Sequence, residues 1–252
     1  MILTLDQVGK DFGGLKALSD VSFTVNQGDI FGIIGPNGAG KTTLFNLITA
    51  IFPPTHGRIS FKGTELVGLK PYKITALGIA RTFQNIRLFS NLTVLENVMV
   101  GAHTRMKSGV WRGLWQTPAQ KHEEKAARER AKDLLNFVGI EAITDLSDSL
   151  AYGQQRRLEI ARALAVEPDV LLLDEPAAGM NESETEDLMH LIRQIRDMGK
   201  TIVLIEHDMN LVMNICNRLA VINFGLKIAE GTPADIQANS EVIEAYLGKE
   251  DA

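Results

Sequence analysis

Several things are scarce in this chain of 252 residues, and each scarcity excludes something. Cys216 is the one cysteine, so no disulfide can form within the chain. That suits a reducing compartment and rules out a disulfide scaffold. Apolar runs such as Val170–Leu173 and Ile202–Ile205 fall far short of the roughly 20 residues that a membrane helix needs. The first residues, MILTLDQVGKDF, carry Asp6 and no long apolar stretch, so no secretory signal is expected. Basic charge is not in excess: 26 Lys and Arg face 31 Asp and Glu, for a net charge of -5. This gives no global attraction to nucleic acid or to an anionic membrane. Tandem repeats and low-complexity tracts are absent, as is the N-K-x-D string that reads guanine. What is present is ordinary globular composition, 45% hydrophobic and 23% charged, in a chain long enough to bury a sizeable core.

Residues 2–8 and 21–25 alternate apolar and polar, which predicts strands of a half-exposed antiparallel sheet. Residues 30–34, IFGII, form a continuous apolar run, the mark of a strand buried on both faces. Runs at 170–173, 201–205 and 219–223 share that character, with helical patterns between them. The alternation predicts an α/β fold with a mostly parallel sheet. The stretch 86–165 lacks such runs. Its residues Ala127, Ala131, Leu134, Leu135 and Val138 recur at helical spacing. It reads as a helical subdomain inserted between 1–85 and 166–252, which together form the α/β core and its N-terminal antiparallel β subdomain. Trp111 and Trp115 would share one helix face, serving either local packing or a membrane-side contact.

Directly after IFGII comes Gly35-Pro36-Asn37-Gly38-Ala39-Gly40-Lys41-Thr42-Thr43, which fits G-x-x-x-x-G-K-[ST] in full. The glycines let the backbone turn tightly and aim N–H groups at phosphate oxygens. Lys41 reaches the terminal phosphates, and Thr42 offers a hydroxyl to Mg2+. A helix expected over 42–51 turns its positive end toward the anion. A second buried strand ends in Asp174-Glu175. Asp174 is placed to hold Mg2+. Glu175, turned elsewhere by strand alternation, is placed near the γ-phosphate to polarise a water.

Four further features narrow the class. Leu150-Ala151-Tyr152-Gly153-Gln154 precedes a helical run and makes a second potential anion site. Gln84 stands in ARTFQNIRLF at the border of the helical stretch. His207 follows the strand TIVLIE, at the carboxyl end where ligands of open α/β sheets gather. Phe12 precedes the phosphate loop and could stack on a base or serve the core.

In this order the motifs resemble the ATP-binding cassette (ABC) family over essentially the whole chain. The resemblance implies a Walker A at 35–43, a Walker B ending in Asp174, a Q-loop at Gln84 and a signature at 150–154. It also implies a switch histidine at His207 and an adenine-stacking Phe12. Glu175 is then the catalytic base, Gln84 couples the site to a membrane partner and joins Thr42 and Asp174 at the metal, and ATP and Mg2+ are the cofactors. The family pairs head to tail, so Ala151, Tyr152, Gly153 and Gln154 would act in trans. The sequence by itself leaves cis and trans open.

The chain departs from the usual LSGGQ at Ala151 and Tyr152, and carries Asn181 where Asp is common. LAYGQQRRLEIARAL, DEPAAGMN, IEHDMNLVM and EGTPADIQANSEVIEAYLG closely resemble an ATPase subunit of branched-chain amino acid importers. That resemblance implies a second cassette subunit, identical or related, permease subunits in the membrane, and indirectly a periplasmic solute-binding protein. It implies no nucleic acid, and a cytoplasmic place on the inner face of the membrane. Ile86, Leu88 and Phe89 are candidates to dock a permease helix. Three alternatives stay open: a lipopolysaccharide-export ATPase, a cassette acting on nucleic acid or ribosomes, and a nucleotide-binding regulator with little turnover.

Overall fold

The computed structural model describes residues 1–102 and 118–247. Trp111 and Trp115 lie outside the described residues. The chain begins with strands β1 (Leu3–Phe12) and β2 (Leu15–Val25), paired antiparallel with Leu3 opposite Val25 and Phe12 opposite Leu15. β3 (Ile30–Ile34) follows, then helix α1 (Lys41–Ile48), β4 (His56–Phe61) and β5 (Thr64–Glu65). β1, β2, β4 and β5 form one antiparallel sheet in the order β2-β1-β4-β5. Next come α2 (Pro71–Leu77), the short β6 (Ile79–Arg81), and helices α3 (Val94–Ala102), α4 (Pro118–Phe137) and α5 (Tyr152–Leu164). β7 (Val170–Asp174), α6 (Glu182–Asp197), β8 (Thr201–Ile205), α7 (Met209–Ile215) and β9 (Arg218–Asn223) return to the core. β10 (Leu226–Gly231), α8 (Pro233–Gln237) and α9 (Ser240–Leu247) complete it.

The second sheet has the order β10-β9-β3-β8-β7-β6 and is parallel except for β10 against β9. β3, β7 and β8 are buried at every position, as continuous apolar runs require. Alternation then divides each strand between two cores. Phe31 and Ile33 pack with α1 and the antiparallel sheet, while Ile30 and Ile34 join the core that holds α3, α4, α5, α6 and α7. Ala127, Ala131 and Leu135 are buried on α4 and Val138 just after it, with Leu134 part-buried beside them, the stripe that helical spacing predicts.

Two expectations need correction. Helix α1 stops at Ile48 rather than 51. Ala50 turns left-handed at φ 54, Ala50 N–H donates to Leu47 O, and Ile51 N–H donates to Asn46 O. This is the helix-ending hydrogen-bond pattern that normally recruits glycine. Strand alternation is also not what parts Asp174 from Glu175. The strand ends at Asp174, and Glu175 takes φ 47 while its N–H still donates to Ile205 O.

Candidate nucleotide site

The carboxyl ends of β3, β7 and β8 deliver the three stretches that the motifs single out. A cavity of about 540 Å3 is lined by Asn37, Gly38, Ala39, Gly40, Lys41, Thr42, Thr43, Gln84, Glu175 and His207. Gly35 and Pro36 sit just behind this lining. Gly35, at φ 148, packs so tightly on β9 that a Cβ would stand 1.9 Å from Ile222 O. Gly40 caps α1 at φ 107 and has no side chain to accept from the first turn, so those N–H groups face outward. Lys41 is buried, and its Nζ donates to Gly35 O at 2.7 Å and Pro36 O at 2.9 Å. Burial pushes its pKa down, and Glu175 and Asp174 pull it back.

Glu175 stands across the cavity. Gln84 Nε2 donates to its Oε2 at 2.8 Å, and His207 Nδ1 lies 3.9 Å from the same oxygen. His207 is exposed at 59%, free to meet a ligand. Its loop is held by Glu206, a buried carboxylate that accepts from Ala177 N–H at 2.8 Å and His207 N–H at 3.1 Å. Burial pushes the Glu206 pKa up. One side chain thus fixes both the loop after Glu175 and the loop of His207. Glu206 closes the apolar run TIVLIE, and nothing in the sequence pattern singles it out.

Asp174 lies beneath the lining. Its Oδ2 accepts from Arg81 at 2.7 Å, and its buried Oδ1 has no hydrogen-bond partner among the described residues. A buried acceptor without a partner is costly unless a ligand satisfies it. Together with the Thr42 hydroxyl and the Gln84 amide oxygen, it makes a set of hard oxygen donors that fits Mg2+.

The signature residues do not line this cavity. Ala151 precedes α5 without a side-chain cap, so a second helix start presents open N–H groups. Helices α6, α7 and α8 carry side-chain caps: Asn181 accepts from Glu184 N–H in a capping box, Asp208 from Leu211 N–H, and Thr232 from Asp235 N–H. Asn181 therefore does the capping work that Asp would do. The Tyr152 hydroxyl accepts from Arg156, and its ring packs on Gly179 of the loop after Glu175. Gly153 sits against Glu184.

Arg156 is fully buried and donates to Phe83 O at 2.6 Å, Gln84 O at 2.8 Å and Glu159 Oε2 at 3.1 Å. Glu159 Oε1 in turn accepts from Phe83 N–H and Arg87 N–H. This pair ties the Gln84 loop to α5. Phe12 lies outside the cavity lining, 44% exposed, edge-on to Phe52 at 5.2 Å, so it is no core phenylalanine. Burial pushes the pKa of Tyr246 on α9 up, while the nearby Gly35 main chain pulls it back.

Residues 18–178, more than half the chain, match the family described as ABC transporter. Residues 227–252 match a second, described as branched-chain amino acid ATP-binding cassette transporter. The chain is 45% identical over 98% of both lengths to the high-affinity branched-chain amino acid transport ATP-binding protein LivG of Salmonella typhimurium. Among solved structures it resembles the ADP conformation of an ABC transporter cassette, at TM-score 0.85 and 33% identity over 98% of this chain and 99% of that one. It also resembles a dimeric post-hydrolysis cassette bound to ADP and Pi, at TM-score 0.79 and 27% identity over 92% and 99%.

Proposed function

The chain belongs to the ABC transporter family, whose ATP-binding proteins are ATPases, and we propose that it powers a branched-chain amino acid importer. The observation that carries the chemistry is the Gln84–Glu175–His207 cluster standing across one cavity from the phosphate loop. The N–H groups of the loop and of the first turn of α1 hold the ATP phosphates, with Lys41 turning from its own loop carbonyls to the γ-phosphate. Glu175 accepts a proton from water as it attacks. His207 and Gln84 hold the carboxylate and the water in register. Thr42, Gln84 and Asp174 would hold Mg2+, which when bound would neutralise charge on the phosphates. Phe12 stacks on the adenine.

The working unit is a pair, in which Ala151–Gln154 of one chain close on the phosphates of the other. The related dimeric cassette supports this arrangement, as does a cavity lining that includes none of Ala151–Gln154. No described helix is long and apolar enough to cross a membrane. The chain would work at the cytoplasmic face, beside permease subunits fed by a periplasmic solute-binding protein. Phe89, half-exposed under Arg162, and part-buried Ile86 and Leu88 give the Gln84 loop an apolar docking edge. Glu175→Gln tests the core of the reading. ATP binding should persist while phosphate release falls about 100-fold or more, and full turnover in that variant would overturn the assignment.

A further inference from the structure

Arg81 ends β6, three residues before Gln84, and is almost wholly buried together with Asp174. One terminal nitrogen, Nη2, donates to Asp174 Oδ2 at 2.7 Å. The other, Nη1, donates to Asn46 Oδ1 at 2.7 Å and Thr49 Oγ1 at 3.3 Å, both at the far end of α1. The guanidinium lies against two rings, 5.1 Å from the centre of Phe83 and 5.4 Å from that of Phe45. Phe45 belongs to the phosphate-loop helix and Phe83 adjoins Gln84. A single planar cation therefore touches α1, the end of β7 and the Gln84 loop. A guanidinium suits this role because its fork fixes two directions at once, and its flat faces stack on aromatics.

The pairing is also selective between the two Asp174 oxygens. Oδ2 is claimed by Arg81, and Oδ1, buried and without a partner among the described residues, is left for another ligand. We propose that Arg81 is the positioning residue of the Mg2+ site: it occupies Asp174 Oδ2, turns Oδ1 toward the metal, and locks that carboxylate to the phosphate-loop helix through Asn46. This rests on the reading of Asp174 as a metal-binding group. Arg81 itself touches neither metal nor nucleotide. Loss of a partner that orients a metal-binding side chain from behind typically costs about 10–100-fold in metal affinity.

The test uses Mn2+ as the probe, titrated by electron paramagnetic resonance into the full chain with saturating ADP. Nucleotide affinity is measured separately in EDTA with a fluorescent ATP analogue. Asp174→Asn should weaken Mn2+ binding strongly. Arg81→Met should weaken it about tenfold while leaving metal-free nucleotide affinity unchanged. Arg81→Lys should fall between Arg81→Met and the parent, since an ammonium can hold Oδ2 but cannot also span to Asn46. A structural role alone would lower the unfolding temperature without moving Mn2+ affinity. Parent-like Mn2+ binding in Arg81→Met, with Asp174→Asn impaired, would overturn the proposal and spare the site assignment. Parent-like binding in Asp174→Asn would overturn the assignment itself. If Arg81→Met does not fold, the double variant Asn46→Ala, Thr49→Val takes its place. It keeps the ion pair but removes both side-chain anchors at the end of α1, and an unchanged Mn2+ affinity there would equally overturn the proposal.

Discussion

At the scale of single residues, backbone conformation and burial set limits that chemistry must respect. Gly35 and Gly38 look alike in the motif but differ in surroundings. A Cβ at Gly38 meets open space, whereas one at Gly35 runs into Ile222 O. Gly38→Ala should therefore cost about 1 kcal/mol from its left-handed backbone alone. Gly35→Ala should cost about 3 kcal/mol or more and abolish ATP binding, since the loop cannot stay seated on β9. Urea unfolding and nucleotide titration of both variants check the contrast. Cys216 offers a second test. Burial raises its pKa from 9.0 to about 12, so the native thiol stays protonated where the unfolded one ionises. Its contribution to stability is complete below pH 9 and is lost as pH rises from 9 through 12, by at most about 1.4 kcal/mol per pH unit. Cys216→Ala should lack this component, which unfolding curves of both proteins between pH 8 and pH 11 would reveal. A thiol reagent should label Cys216 only after unfolding.

At the scale of elements, the Arg156–Glu159 pair joins α5 to the Gln84 loop inside the protein. Removing one partner leaves the other charged and buried. Glu159→Ala should lower stability by about 3–5 kcal/mol and release Phe83 and Arg87, which denaturation and hydrogen exchange at those amides would detect. Why this link was hidden follows from what patterns can carry. β3, β7 and β8 were legible because burial on both faces demands unbroken apolar runs. The phosphate loop was legible because its chemistry uses consecutive residues. β6 is three residues long at a sheet edge, β4 opens with His56-Gly57-Arg58, and β10 is exposed to half-buried throughout, so none makes a periodic signal. Arg81, Arg156, Glu159 and Glu206 are charged residues that a pattern assigns to solvent. Arg156 and Glu159 pair locally, but their other partners, and those of Arg81 and the Ala177 partner of Glu206, lie far along the chain, and only the fold brings them together. A charge standing where periodicity asks for an apolar residue, as Arg156 does in RRLEIARAL, was the available signal.

At the scale of the whole molecule, α1, α2 and α5 all start without a side-chain cap; α2 has Pro71 in its first turn, and of the other two only α1 lies at the cavity. α1 completes the phosphate loop, while α5 presents Ala151 and its open N–H groups away from it. Helices α6, α7 and α8 show that capping is available to this sequence where no anion is to be held. An uncapped start forgoes about 1 kcal/mol of stability, a cost that a ligand taking the place of the cap would offset. This separates folding from function at one position. Ala151→Asp would cap α5 from within its own chain, using the carboxylate to accept from the first turn and to favour the helix dipole. It should therefore raise the unfolding midpoint, by about 1 kcal/mol in stability. The same carboxylate would repel and displace a partner chain's γ-phosphate. In the Glu175→Gln background, saturating ATP should turn the otherwise unaltered chain into a dimer by sedimentation velocity, because slow turnover preserves the closed pair. With Ala151→Asp added, the protein should be more stable and should remain monomeric under the same conditions. Dimers that persist undiminished would show that α5 does not complete a partner's site, and the two helix starts would then need separate explanations.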